Sequence, residues 1–83
     1  MPAAGLSTEA QFKIALMKAI DHDLKSRYRT LALAAEAIGA DITWQRLSRI
    51  RSGRHEYFSV NWLFRLADAA KIHIRISVEP VNR

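Results

Sequence analysis

Cysteine is absent from this 83-residue chain. No disulfide framework and no thiolate metal site can therefore be drawn on it, which suits a reducing, cytoplasmic setting. Glycine and proline are scarce, at three and two residues, and neither interrupts the helical patterns described below. No apolar run approaches the roughly 20 residues that a membrane span requires. Met1 to Ser7 has neither a basic start nor an apolar stretch, so neither a membrane partner nor an export signal is expected. Aromatic residues amount to 8%, and the clustered exposed aromatics of single-strand binders are not expected. A chain of this size buries only about 60 to 65% of the surface that its unfolded form exposes. One domain is expected over residues 1–83, with a partner chain as a source of added stability.

Positive charge is what the chain has in excess. The formal net charge is +5 and the pI about 10.3. From Lys25 to Arg54 there are seven basic residues against Glu36 and Asp41, a local excess of +5 that equals that of the whole protein. The charge is a patch, and a basic patch points to polyanions.

Hydropathy patterning predicts four helices. After a tail over residues 1–6, Thr8 and Gln11 form a capping-box pattern. Phe12, Ala15, Leu16, Ala19, Ile20 and Leu24 then recur at three- and four-residue spacing, giving a helix over 8–26. Thr30 is placed to cap a helix over 31–38, with Ala34, Ala35 and Ile38 inward and Gly39 ending it in a left-handed conformation. Thr43 is placed to cap a third helix over 44–52, in which Leu47 and Ile50 face inward, and Gly53 closes it. Arg54 to Phe58 read as a loop. Ser59 caps a fourth helix over 60–70 whose apolar positions are Val60, Leu63, Phe64, Ala67 and Ala70. From residue 72 the period changes to two: Ile72, Ile74, Ile76 and Val78 alternate with polar residues up to Pro80, the pattern of a β-strand over 72–79. One strand leaves backbone groups unpaired, so pairing with the same strand of a second copy is expected, making a homodimer with Ile72, Ile74, Ile76 and Val78 at its interface.

The segment Thr30-Leu-Ala-Leu-Ala-Ala-Glu-Ala-Ile-Gly-Ala-Asp-Ile-Thr-Trp-Gln-Arg-Leu-Ser-Arg-Ile-Arg-Ser-Gly53 and the run Phe58-Ser-Val-Asn-Trp-Leu-Phe-Arg-Leu-Ala-Asp-Ala-Ala-Lys-Ile resemble the Xre/Cro-like (lambda-repressor-like) helix-turn-helix domains. Within that family, the branch ending in a C-terminal strand is the nearest, and it includes antitoxins and stand-alone regulators. Gly53-Arg54 matches the family's Gly-basic pair after the recognition helix, and Ala35 its small packed residue. The resemblance implies a mainly α, four-helix domain with one C-terminal strand pairing across a homodimer. It also implies a transcriptional regulator, most often a repressor, of a palindromic double-stranded DNA operator, either a stand-alone regulator or an antitoxin with a cognate toxin protein as an additional partner. Two departures stand out. Leu31 replaces the Gln that usually follows the capping Thr, which removes a phosphate clamp or moves it to Arg29, and the turn from Gly39 to Thr43 is about two residues longer than the family's usual turn.

On this reading the helix over 44–52 enters the major groove. Gln45 suits a bidentate contact to adenine, Arg46 or Arg49 suits guanine O6 and N7, and Thr43 and Ser48 can reach a base or phosphate. Trp44 has two readings, packing against the motif or touching sugar or a thymine methyl. Lys25, Arg27, Arg29, Thr30, Arg51 and Arg54 are candidates for the DNA backbone. Tyr57 and Trp62 are expected in the core or the dimer contact.

Rival functions have less to stand on. Asp21-His22-Asp23 cannot converge on one ion, because consecutive helical residues point in different directions. His22, His55, Glu56 and His73 could serve a small ribonuclease, but no motif joins them, so no enzyme activity, catalytic residue or cofactor is expected. A protein-interaction module that neutralises a toxin, with DNA binding secondary, is the other alternative.

Overall fold

The computed structural model describes residues 7–39 and 42–75. It is mainly helical, with α1 over Thr8–Arg27, α2 over Leu31–Ile38, α3 over Trp44–Arg51 and α4 over Val60–Ala69. A 3-10 turn at His55–Tyr57 lies between the last two. Helix ends fall within a residue of the sequence expectation, because each start carries a hydroxyl cap. The Thr30, Thr43 and Ser59 side chains accept the backbone N–H groups of Leu33, Arg46 and Trp62 at 3.1, 3.2 and 3.0 Å. One cap differs. Ser7, not Thr8, caps α1, accepting the Ala10 N–H at 3.0 Å, so Thr8 is the first helical residue. The helix then runs one residue further, through Arg27, until Tyr28 turns extended at φ −129°.

Helix α1 packs against α2, α3, α4 and the 3-10 turn, and α2 packs on α3. Leu16, Met17, Ile20 and Leu24 of α1 meet Ala34 and Ala35 of α2, Leu47 and Ile50 of α3, Phe58, and Leu63, Leu66 and Ala67 of α4 in one core. Met17 and Leu66 are buried although the sequence pattern did not place them inward, whereas Ala15 and Ala19 are exposed. The buried positions of α1, Ala10, Leu16, Met17, Ile20 and Leu24, share one face about 120° wide at 100° per residue, a face turned towards Met17 and away from Ala15 and Ala19 relative to the expected one. The alanines at 34 and 35 admit the close approach of neighbouring helices.

Two helix ends close with paired backbone bonds. After α3, the Gly53 N–H donates to the Ile50 carbonyl at 3.1 Å and the Arg54 N–H to Arg49 at 3.0 Å, with Gly53 at φ +78°. After α4, Lys71 and Ile72 donate to Asp68 and Ala67 at 3.1 and 2.9 Å, with Lys71 at φ +59°. Ser52 and Ala70 therefore serve as caps outside their helices. Gly39 ends α2 at φ +135°, ψ −171°, a glycine conformation but not the left-handed helical one expected. Lys13 Nζ donates to the Phe58 carbonyl at 3.0 Å and Arg27 Nη2 to the Ala70 carbonyl at 2.6 Å, tying both ends of α1 to the second half of the chain.

No strand pairing occurs among the described residues. Ile72 and Ile74 are half-buried against the core, while Ile76 and Val78 lie outside the described residues, as do the tail over 1–6 and the turn residues Ala40 and Asp41.

Candidate nucleic-acid interface

Helix α3 is short, and its geometry sorts its side chains. At about 100° per residue, with Leu47 and Ile50 setting the inward direction, Gln45 points most directly outward, with Ser48 and Arg49 on either side of it. Arg46 lies on one flank; Trp44 and Arg51 lie on the other. Gln45, Arg46 and Arg49 are exposed and Ser48 is half-buried. Trp44 is 52% exposed and borders an open groove with Ala32, Glu36 and Ile42, beside α2 with about half its surface left for a ligand.

The basic residues fall into two sets. Asp21 on α1 accepts from Arg51 Nε at 2.9 Å and lies 3.9 Å from Lys25 Nζ. Asp23 pairs with Arg27 Nη2 at 2.8 Å, and the same guanidinium reaches the Ala70 carbonyl. Three of the backbone candidates, Lys25, Arg27 and Arg51, are thus already engaged by carboxylates, and Arg27 also caps the end of α4. Arg29, Arg46, Arg49 and Arg54 form no ion pair among the described residues. Thr30 and Thr43 spend acceptor capacity on their helix caps, and each hydroxyl keeps its one proton to donate.

Arg46 and Arg49 are held by rings. The Arg46 guanidinium lies 5.5 Å from the centre of the Trp62 ring, and that of Arg49 lies 4.8 Å from the Tyr57 ring. Trp62 in turn stacks on the buried Phe58 at 5.0 Å with an interplanar angle of 22°. The two arginines, the two rings, Phe58 and Ser59 line one cleft of about 270 Å³. Tyr57, expected in the core or a dimer contact, is 55% exposed in the single chain, so it is not a core residue. Sequence reasoning missed its partnership with Arg49 because the contact is made across the turn that Gly53 opens, eight positions along the chain, where no helical or strand period applies.

The groups considered for acid–base chemistry fall in three parts of the chain: His22 on α1, His55 and Glu56 on the 3-10 turn, and His73 beyond α4. His55 Nε2 lies 4.0 Å from Glu56, and its Nδ1 is buried without a hydrogen-bond partner among the described residues. Asp21 and Asp23 are each turned to a cation, so they do not face a common point. Among the described residues no helix is long and apolar enough to cross a membrane. No protein-family model matches the chain, and no curated protein or solved structure is significantly similar to it.

Proposed function

We propose that the chain is a sequence-specific double-stranded DNA-binding regulator of transcription that acts as a homodimer, in the simplest case a repressor occupying a palindromic operator. The observation that carries this reading is the composition of the outer face of α3: Gln45 and Arg49 beside Arg46, with no carboxylate paired to either arginine among the described residues. These side chains match the acceptors and donors of the major groove, and the two short capped helices α2 and α3 pack together as a reading motif requires. The resemblance of residues 30 to 80 to Xre/Cro-like domains supports the same conclusion.

On this reading Gln45 and Arg49 read bases. Arg29 and Arg54 hold phosphates, and the N-terminal amides and hydroxyl caps of α2 and α3 add favourable positive potential near the backbone. In a dimer paired through the segment after α4, α3 helices about 34 Å apart would match half-sites one helical turn of DNA apart. Selection of bound duplexes from a random pool at about 150 mM salt, where non-specific attraction is weakened, tests the reading. Enrichment of an inverted repeat with half-sites about 10 base pairs apart is expected. If no sequence is enriched, the DNA reading fails, and a protein partner such as a toxin becomes the ligand to seek.

A further inference from the structure

We propose that Tyr57 and Trp62 are positioning residues for sequence readout: their rings hold the guanidinium groups of Arg49 and Arg46 flat and pre-oriented before DNA arrives. The proposal rests on the DNA-binding reading above and assigns selectivity within it to residues outside α3.

An unrestrained arginine must give up its rotamer freedom when it binds. Arg49 lies 4.8 Å from the Tyr57 ring centre, so that freedom is already reduced in the free protein. With Cζ over the ring, a guanidinium lying parallel to it is covered on its face and keeps its in-plane N–H donors available, the edge that pairs bidentately with guanine. Tyr57 is 55% exposed, so burial does not explain its position. The backbone explains how it gets there: the positive φ of Gly53 turns the chain back after α3, and the 3-10 turn His55–Tyr57 brings the ring under Arg49. Arg46 repeats the device on Trp62, whose other support is Phe58 in the core. Its platform is therefore continuous with the hydrophobic interior, whereas Tyr57 can be altered without opening the core.

The test compares Tyr57→Leu, Tyr57→Phe and Arg49→Lys with the unaltered protein in two measurements. In the free protein, NMR reads the ring-current displacement of the Arg49 side-chain protons. In the bound state, affinity is measured for the selected duplex and for random duplex at the same salt. The expected result is a displaced Arg49 signal that Tyr57→Leu abolishes and Tyr57→Phe keeps. Tyr57→Leu should also lower the ratio of specific to random binding by about two- to fivefold. Arg49→Lys, which keeps the charge but not the plane, should lower the ratio at least as much. In an Arg49→Ala background, Tyr57→Leu should cost nothing further. An undisplaced Arg49 signal in the unaltered protein overturns the proposal. So does an unchanged binding ratio in Tyr57→Leu, or an equal loss on both duplexes, which would make the ring a direct DNA contact. A displaced signal in a protein that selects no duplex overturns it through the DNA reading, with the stacking geometry intact.

Discussion

Asp21 holds Arg51 Nε at 2.9 Å and sits 3.9 Å from Lys25, so one carboxylate on α1 tempers two of the seven basic side chains between residues 25 and 54. Its removal should release positive charge towards a polyanion. Asp21→Asn is expected to tighten binding to random duplex and to steepen the dependence of log affinity on log salt by about one unit. The loss of stability should stay under about 1 kcal/mol, because Arg51 is partly exposed and solvent screens the pair. Titrations at several salt concentrations measure the slope; an unchanged slope would mean that Arg51 lies away from the bound DNA. Arg49 and Arg54 separate the two kinds of contact. Arg49→Ala should relax preference at one base pair per half-site, at about 1 to 3 kcal/mol, whereas Arg54→Ala should weaken all sequences alike and lower the salt slope by about one. Equal effects of both variants on operator and random duplex would contradict the assigned roles. The residue types of this interface were legible in the sequence, because charge and hydrogen-bonding capacity belong to the side chain itself. Their pairing was not. Asp21 and Arg51 are thirty positions apart, and only the packing of α1 against α3 brings them together.

Each helix begins at a Ser or Thr, and those hydroxyls made the element boundaries readable before any packing was known. Capping is local chemistry over three residues, which is why Thr30, Thr43 and Ser59 marked their helices correctly. The same logic misplaced the cap of α1, where two adjacent hydroxyls, Ser7 and Thr8, compete for one role. On the proposed DNA reading Thr43 matters most, because it caps the start of α3 and so bears on which way Gln45 and Arg49 point. Thr43→Ala should cost about 1 kcal/mol of stability, seen as a lower midpoint in thermal or urea unfolding. An unchanged midpoint would show that packing of Leu47 and Ile50 alone sets the start of the helix. At the other end of the fold, Lys71 closes α4 at φ +59°, a conformation that costs a side-chain-bearing residue about 1 to 2 kcal/mol. Lys71→Gly relieves that strain, partly offset by the greater freedom of glycine in the unfolded chain. A gain of about 0.5 to 1 kcal/mol is expected, equivalent to a rise of roughly 2 to 8 °C in Tm. This strain was not legible beforehand, since nothing about Lys marks it for a position that usually takes Gly. The direction of α1's buried face was misjudged: Met17 lies seven residues from both Ala10 and Leu24 and three from Ile20, so its enclosure was legible in the helical period once the face was centred on it.

For the whole molecule the decisive region is the segment after α4. Ile72 and Ile74 are half-buried against the same chain's core, while His73 and Arg75 are exposed. The apolar side of this alternating stretch is thus used within the chain, and what remains for a second copy is the backbone edge, whose N–H and C=O groups pair with none of the other described residues in a strand ladder. Pairing between copies would satisfy those groups and enlarge the core, and on the proposed function it would link stability, dimerisation and operator binding through one segment. Ile74→Asp puts a charge where an apolar side chain rests on the helices and should detach the segment. The expected outcome is a monomer in light scattering at micromolar concentration. Operator affinity should fall by about a hundredfold or more as two linked half-site contacts become independent, with a smaller loss on random duplex. Retained helical circular dichroism would show that the four helices persist. A folded variant that stays dimeric would move the interface to another surface, and a monomer that binds its operator undiminished would show that one copy suffices for recognition.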